Sequence, residues 1–282
     1  MTLCVAVLLL TAGCQLGDGS KPLMGGNVKD SGKQQRQTAG AAGPEADAAD
    51  GGAPVLQWDA EDYMAPVASE QVLRRTGYVT SYNAATRQPN WVAWTLTAAH
   101  TQGETKRPRK AFAEDPEVPG PRAVDADYYD SGYDRGHMCP AADNKWSEEA
   151  MLQSFLFTNI CPQDHGLNIG DWNEMENQCR RWAVKYGEIV IVCGPILYKT
   201  RHKTIGQNKV VVPEAFFKVV LRMQPEPEAI GFIYKNVGGD RPKGDYMNTV
   251  DQVERITGYD FFPALPDDVE KKVEATASLD NW

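Results

Sequence analysis

The sequence predicts an α+β fold in which a central, mostly antiparallel sheet is flanked by helices. Segments rich in β-branched and aromatic residues follow one another with few helical segments between them, which favours an antiparallel or mixed sheet over a doubly wound one. Amphipathic segments that begin with capping residues predict the helices. With 282 residues, of which 42% are apolar and 24% charged, the chain is long enough to bury a full core.

Strands are predicted where apolar runs end at turn-forming residues. Segments 77–82 and 91–97 flank the turn-rich stretch NAATRQPN and predict a hairpin. Further runs of the same composition predict strands over 156–160, 188–197, 215–223 and 230–237.

Three segments carry helix signals. Ser147 precedes two acids and predicts the cap of one helix, while Thr249 and Gln252 form a capping box that predicts another. The strongest predicted helix begins near Asn168 and stops at Gly187. Its apolar residues recur at steps of three and four, and they are Trp172, Met175, Cys179, Trp182 and Tyr186.

The first fourteen residues, MTLCVAVLLLTAGC, have the length and apolar character of a signal peptide and predict export. Their end, with Cys14, resembles the lipobox of bacterial lipoproteins, which implies a lipid anchor on Cys14 and a periplasmic, outer-membrane or cell-surface location in the bacterial envelope. An ordinary cleaved signal and a buried N-terminal strand are the alternatives. No stretch of eighteen or more apolar residues occurs.

The chain is predicted to have three parts. After the signal segment 1–14, residues 15–54 are rich in Gly, Ala, Asp, Lys and Gln and bury too little apolar surface to offset the entropy of ordering, so they are predicted to form a disordered tether. Residues 55–282 are predicted to form one folded domain.

Four cysteines lie in the predicted folded domain, namely Cys139, Cys161, Cys179 and Cys193. In an exported protein disulfides persist, and four cysteines allow three pairings between which the sequence does not decide. Their spacing contains no CxxC pair, which argues against a zinc site.

The net charge of −9 and the isoelectric point near 5.0 argue against a protein that is basic over its whole surface. The segment TKRPRK, however, clusters four basic residues at 106–110 and creates a positive patch in a negative molecule. The alternative is that these are ordinary solvated surface charges.

The segment YDSGYDRGHMCPAADN, residues 129–144, contains the strongest candidates for chemistry. Two glycines and a proline exclude a helix and predict a shaped loop after a short strand. His137 can transfer a proton near neutral pH, and Arg135 can hold an anion with its fork of donors. Together they predict a site for a phosphate group.

Three motifs follow one another in a strand, strand, helix order. They are Asp134-Arg135-Gly136-His137, Thr158-Asn159-Ile160-Cys161-Pro162-Gln163, and Asn168-Ile169-Gly170-Asp171-Trp172 with Glu176. In order and spacing they resemble the DNA/RNA non-specific endonucleases that carry a ββα-metal finger. Weaker likeness extends over residues 77–262, so the resemblance makes 55–282 a non-specific endonuclease domain.

The resemblance implies a role for each candidate residue. His137 would be the general base that takes a proton from water, and Arg135 would add positive charge at the phosphate oxygens. Asn168 would give a metal ion its protein ligand, with Mg²⁺ expected and Mn²⁺ as an alternative. Asn159 would position His137 or the metal-bound waters.

Glu176 lies eight residues after Asn168, which is about 12 Å of rise on a straight helix. Both side chains could be direct ligands only if the helix started later than Asn168. Glu176 is therefore expected to hold a metal-bound water. The other histidines, His100, His165 and His202, are expected to be structural or exposed.

The function implied is a Mg²⁺-dependent endonuclease that cuts DNA and RNA and leaves 5′-phosphate ends. Contacts to phosphates carry no base information, so little sequence preference is expected. Two alternatives stay open: a phosphodiesterase for small phosphate esters, and a nucleic-acid-binding envelope lipoprotein that has lost catalysis. The sequence indicates no oligomeric state.

Overall fold

The computed structural model describes residues 58–65 and 70–282. The predicted signal segment 1–14, with Cys14, and the predicted tether 15–54 lie outside the described residues, so both stay predictions. Within the described ranges, no helix has the length and apolarity needed to cross a bilayer.

The α+β class is confirmed, with a seven-stranded antiparallel sheet at its centre. The sheet order is β1-β2-β3-β6-β9-β10-β11, and two small two-stranded sheets, β4-β5 and β7-β8, lie apart from it. The strands are β1 Gln71–Arg74, β2 Val79–Asn83, β3 Gln88–Thr97, β4 Asp134–His137, β5 Ile160–Gln163, β6 Glu188–Ile196, β7 Thr204–Ile205, β8 Val210–Val211, β9 Ala215–Arg222, β10 Glu228–Lys235 and β11 Met247–Asn248.

Six α-helices accompany the sheet in the described ranges: α1 Ala60–Tyr63, α2 Glu148–Gln153, α3 His165–Ile169, α4 Asp171–Tyr186, α5 Val250–Thr257 and α6 Asp267–Glu274. The predicted caps are confirmed. The Ser147 hydroxyl accepts from the Ala150 N–H and begins α2. Thr249 and Gln252 form the capping box of α5, because each side chain satisfies a backbone donor of the other residue.

The central strands are buried on both faces, which explains their nearly continuous apolar runs. Alternation along β9 shows the two layers: Phe216 and Val220 pack with Trp172 under α4, while Phe217 and Val219 pack on the opposite side with residues of α1, α5 and α6. The sheet therefore separates the α4 side from the α5 and α6 side.

The prediction of a strand over 156–160 was wrong. Phe157–Asn159 forms a single 3₁₀ turn, and the strand β5 begins at Ile160. The aromatic side chain of Phe157 is buried in a local cluster beside Tyr128, with ring centroids 5.4 Å apart. A short apolar run of this kind has no periodicity that distinguishes a strand from a buried turn.

The prediction that one helix begins near Asn168 was also wrong. Asn168 belongs to the short helix α3, which Asp164 caps, and α4 begins only at Asp171. Gly170 separates the two helices with ψ of −114°, far from a helical value. A Cβ atom there would lie 2.5 Å from the carbonyl oxygen of Gly166, so the break requires glycine.

The four cysteines of the domain are free thiols in the buried core, so none of the three disulfide pairings is formed. Cys139, Cys161, Cys179 and Cys193 all belong to the apolar cluster on the α4 side of the sheet. Burial raises the pKa of each of the four thiols. They therefore act as small apolar side chains.

Candidate active site

The site is built on a ββα finger. Strand β4 pairs with β5 in antiparallel register, with Asp134 opposite Gln163 and His137 opposite Ile160. The chain then enters α3 and α4 on the same side of the large sheet. Gly136 is required between the strands, because a Cβ atom would lie 2.5 Å from the Cβ of Gln163. The predicted strand, strand, helix order is thus present, with its helix divided in two.

A pocket of about 400 Å³ opens between the finger and the neighbouring loops. It brings together four of the five predicted site residues and two further arginines. The functional side chains on its wall are Arg107, Arg135, His137, Asn168, Glu176 and Arg180. Segment 106–110 therefore contributes one of its basic residues, Arg107, to the site.

His137 lies at the end of β4 against an aromatic wall. Its ring centroid is 4.9 Å from that of Phe155 in an edge-to-face contact and 5.5 Å from that of Phe112. Burial lowers the pKa of His137 to about 3, and the nearby charge of Arg107 acts in the same direction. The imidazole is therefore neutral near physiological pH and able to accept a proton.

Asn168 is oriented by Asp134. Its Nδ2 donates to Asp134 Oδ2 at 2.8 Å, and the same oxygen contacts His165 Nδ1, also at 2.8 Å. Since a carboxylate accepts hydrogen bonds, it binds the NH₂ end of the amide and leaves Oδ1 available as a ligand. Asp134 thus pairs with neighbouring side chains and supports the orientation of Asn168.

Glu176 is partly buried on the pocket wall, on the second turn of α4. Burial raises the pKa of Glu176 to about 7; the charges of Lys218 and Arg180 oppose this rise and that of Asp143 adds to it. The carboxyl group is thus balanced between its two protonation states near neutral pH.

Three charged residues behind Glu176 were not among the predicted site residues. Arg180 Nη1 donates to the buried Asp143 Oδ1 at 2.7 Å. Lys218 is fully buried in β9, with Nζ 4.2 Å from the ring centroid of Trp172. The sequence signal that could have identified Lys218 is its place inside the apolar run AFFKVVLRM, because lysine is rarely buried in a strand unless it interacts with other charged groups.

Arg135 is held at the pocket by Asp125. Its Nε donates to Asp125 Oδ1 at 2.6 Å, and its Nη2 donates to the backbone oxygen of Asp125 at 3.0 Å. The guanidinium also lies over the rings of Phe112 and Tyr128, at 5.5 and 5.3 Å from their centroids. These contacts fix the plane of the guanidinium and leave its other donors directed away from Asp125.

Asn159 does not line the pocket. It is fully buried, its Oδ1 accepts from the Cys139 N–H at 2.8 Å, and its Nδ2 donates to the Cys139 and Ser154 backbone oxygens. Asn159 therefore fixes the backbone directly after His137. Of the two roles that the resemblance implies, this placement suits positioning of His137 and not contact with metal-bound water.

The remaining histidines lie outside the pocket lining. His100 stacks on Trp146 with ring centroids 4.5 Å apart, and His202 Nδ1 lies 3.1 Å from Glu214 Oε1. His165 is exposed and contacts Asp134. Their expected structural or exposed placement is what the structure shows.

A neutral imidazole, an oriented amide oxygen, a carboxyl group and three arginines thus share one pocket on a ββα finger. The imidazole suits proton abstraction from water, and the arginines suit a phosphate group. The fold and the site define the class of this protein: an α+β protein with a ββα finger, whose pocket suits proton transfer beside a bound phosphate group.

Residues 59–268 match the family model described as DNA/RNA non-specific endonuclease, and the chain belongs to that family. It is 34% identical over 237 residues to the mitochondrial nuclease EXOG of Xenopus laevis, covering 78% of this chain and 66% of the relative. It is 32% identical over 209 residues to the mitochondrial endonuclease G of Bos taurus, covering 69% and 70%.

A solved structure, "Crystal structure of the EndoG/EndoGI complex: Mechanism of EndoG inhibition", contains a chain with the same fold. The TM-score is 0.65 at 28% identity, and the match covers 69% of this chain and 86% of that one. The chain spans about two thirds or less of the EXOG relatives, at 60% to 66% of their length. Those relatives are named mitochondrial, whereas export of this chain stays a prediction.

Proposed function

We propose that this protein is a metal-dependent endonuclease that hydrolyses phosphodiester bonds of DNA and RNA with little sequence preference and leaves 5′-phosphate ends. The observation that carries the proposal is the neutral His137 imidazole in one pocket with Asn168, Glu176 and three arginines. Family membership supports the same chemistry.

In the proposed reaction His137 accepts a proton from a water molecule, whose oxygen then forms a bond to phosphorus. The bond between phosphorus and the 3′ oxygen breaks, the 3′ oxygen takes up a proton from solvent water, and the protonated His137 releases its proton to solvent. The products are a 5′-phosphate and a 3′-hydroxyl. The lowered pKa of His137 keeps the imidazole in its basic form before each turnover.

The donor set of the pocket fits a hard divalent cation. Asn168 offers an amide oxygen that Asp134 turns away from itself, and Glu176 offers a carboxylate. A bound Mg²⁺, or Mn²⁺ as the alternative, would stabilise the developing negative charge on the phosphate. Asn168 would hold it directly, while Glu176 would hold one of its waters.

The break at Gly170 removes the separation expected of two residues on one straight helix. Asn168 and Glu176 are not on one straight helix, because α4 begins at Asp171. Both side chains reach the same pocket lining. The roughly 12 Å separation calculated for a continuous helix therefore does not apply, and support of the same ion by both residues is sterically reasonable.

Three arginines supply the contacts proposed for the substrate backbone. Arg107, Arg135 and Arg180 line the pocket from a loop, from the finger strand and from α4. Arginine binds phosphate through parallel N–H donors. Contacts of this kind position a nucleic acid without reading its bases, which accounts for the proposed lack of sequence preference.

The test incubates the full chain with plasmid DNA and with RNA, in Mg²⁺, in Mn²⁺ and in EDTA. We expect both polymers to be cut only with a metal ion, and His137→Ala to lower the rate by about 100-fold or more. His202→Ala, a histidine outside the pocket, is the matched control and should keep full activity.

Two outcomes would replace the proposal. Cleavage of bis-p-nitrophenyl phosphate without preference for the polymer would indicate a phosphodiesterase for small esters. Binding of DNA without turnover in either metal ion would indicate a nucleic-acid-binding protein that has lost catalysis. The metal-binding donors and the neutral base in one pocket favour catalysis over binding alone, and the family membership favours the endonuclease over a phosphodiesterase for small esters.

We also propose, from the sequence, that residues 1–14 direct export and that Cys14 carries a lipid anchor in the bacterial envelope. Incorporation of labelled fatty acid into the expressed chain tests this proposal. Label that is lost in Cys14→Ser supports a lipoprotein, and absence of label in the unchanged chain supports an ordinary signal or none.

A further inference from the structure

The side of the sheet opposite the pocket carries a group of three carboxyl side chains. Asp251 and Glu254 lie on α5, and Glu274 is the last residue of α6. One oxygen from each residue can be chosen so that all three lie within 4.8 Å of one another. Two packed helices thus direct acids at a common point.

Glu274 separates this group from an ordinary cluster of surface acids. The residue is only 8% exposed, and its buried Oε1 has no hydrogen-bond partner among the described residues. An ionised or polar oxygen in this position is costly unless something binds it. Glu274 therefore places a carboxyl oxygen in the cluster and also has a buried acceptor that no other described residue satisfies.

Ion pairs do not compensate the charge of these three acids in the described part of the chain. Throughout 58–65 and 70–282, no Lys or Arg forms an ion pair with Asp251, Glu254 or Glu274. Burial, followed by the charges of Glu254, Glu270, Asp251 and Asp260, raises the pKa of Glu274 to about 8. Every neighbouring charge that acts on this carboxyl group in that way is another acid.

Glu254 is already oriented for a shared ligand. Its Oε1 accepts from the Phe261 N–H at 3.0 Å, which fixes the side chain between the two helices. Asp251 is exposed, so one side of the group is open to solvent and to water ligands. Val253 and Val273 pack in the same apolar cluster and hold the two helices together beneath the acids.

We propose that Asp251, Glu254 and Glu274 form a second divalent-cation site, best suited to Ca²⁺, which joins α5 to α6 on the face of the sheet opposite the active site. Ca²⁺ takes six to eight oxygen ligands in flexible geometry, so three carboxylates and several waters satisfy it. Mg²⁺ demands stricter octahedral geometry and holds its waters, so this site should bind Mg²⁺ more weakly than Ca²⁺. The site stabilises the fold and has no part in the chemistry.

The test measures thermal unfolding of the full chain carrying Asn168→Ala, which removes the proposed metal ligand of the active site. With CaCl₂ at about 100 times its Kd we expect the unfolding temperature to rise by about 5 °C or more. Glu274→Gln and the exposed Asp251→Asn, each in the same background, should abolish the rise. Calcium titration should give one site per chain, lost in the same variants.

The variants also separate this site from the active site. Without Ca²⁺, Glu274→Gln should unfold at the same temperature as its parent or higher, because a like-charge contact is removed. In the otherwise unchanged chain it should keep full nuclease activity. A rise in unfolding temperature that persists in both variants, or no rise in their parent, would show that the three acids bind no cation and that Glu274 is instead protonated.

Discussion

Replacing Lys218 by methionine is expected to shift the pH dependence of the enzyme and to leave its fold intact. Lys218 is fully buried, and its ammonium group lies 4.2 Å from the ring centroid of Trp172 and 5.4 Å from that of Trp94. Its charge is the largest influence that opposes the rise in the pKa of Glu176. Methionine keeps the length and the apolar stem of the side chain and removes only the charge.

The size of the effect follows from the balance at Glu176. With a pKa of about 7, the carboxyl group is half ionised at pH 7. If the Lys218 charge contributes about 1.4 kcal/mol, its loss raises that pKa by one unit. The ionised fraction at pH 7 then falls to about one tenth, and activity that needs the carboxylate falls roughly fivefold.

The assay is the pH dependence of kcat/KM for cleavage of a DNA oligonucleotide, at a Mg²⁺ concentration below half-saturation so that the metal-free enzyme titrates. Because the carboxylate is the active form, activity is lost as the pH falls through the pKa of Glu176. The acid limb of Lys218→Met should therefore lie about one unit higher than that of the unchanged protein, while Lys218→Arg should restore it.

A purely structural role for Lys218 would give a different result. The rate would then fall by the same factor at every pH, and the acid limb would stay in place. That outcome, or a large loss of stability in Lys218→Met, would refute the reasoning. A stable methionine variant is expected, because Lys218 Nζ is buried without a hydrogen-bond partner among the described residues, and a buried charge without a partner is costly.

Three further predictions address the aromatic residues around His137, the pocket arginines and the break between α3 and α4. Phe155→Leu should raise the pKa of His137 from about 3 toward its ordinary value near 6.5, since the buried edge of the imidazole gains access to water. An NMR titration of the imidazole measures this pKa. An unchanged pKa would mean that Phe155 does not cause the burial. Arg107→Ala should weaken binding to all DNA sequences alike and reduce the slope of log K against log salt by about 1. Binding titrations at several salt concentrations, made in the His137→Ala background, measure this slope. An unaltered slope would show that Arg107 does not contact the substrate backbone. Gly170→Ala should lower the free energy of unfolding in urea by about 1–3 kcal/mol, because the new Cβ atom would lie 2.5 Å from a backbone oxygen. The control Gly244→Ala, where the nearest atom is 4.0 Å away, should lower it much less. Equal losses in the two variants would contradict the steric explanation.

The large elements of the fold could be predicted because their signals are local. The β-branched runs at 188–197 and 215–223 correspond to β6 and β9, and the caps at Ser147 and Thr249 begin helices where they were expected. The break at Gly170 could not be predicted in this way. The apolar residues that predict this helix all follow Gly170, and their spacing does not fix where the helix begins. The close approach to Gly166 makes the glycine necessary.

In the candidate site, too, residues in local motifs could be predicted, whereas residues brought together by packing could not. His137, Arg135, Asn168 and Glu176 belong to short motifs, and the structure places all four at one pocket. Arg180, Asp143 and Lys218 lie on α4, on the 3₁₀ turn Ala141–Asn144 and on β9, and no spacing along the chain reports that these elements meet. The position of Asn159 likewise depends on how the chain turns after His137.

The sheet separates the acids of α5 and α6 from the pocket, which reduces the repulsion that a net charge of −9 would exert on the proposed polyanionic substrate. Arg107, Arg135 and Arg180 lie on the α4 side, whereas the acids of α5 and α6 lie on the other side. At physiological ionic strength the electrostatic screening length is about 8 Å. This is shorter than the diameter of a single α-helix, and the acids of α5 and α6 lie farther than that from the pocket, beyond the sheet. A phosphate at the pocket is therefore attracted by the arginines and scarcely repelled by the distant acids.

At low salt this screening weakens, so the acids should begin to oppose binding, and the gain in affinity on lowering the salt should level off. Steady tightening down to about 0.01 M salt, where the screening length reaches about 30 Å, would show that the acids have no such influence.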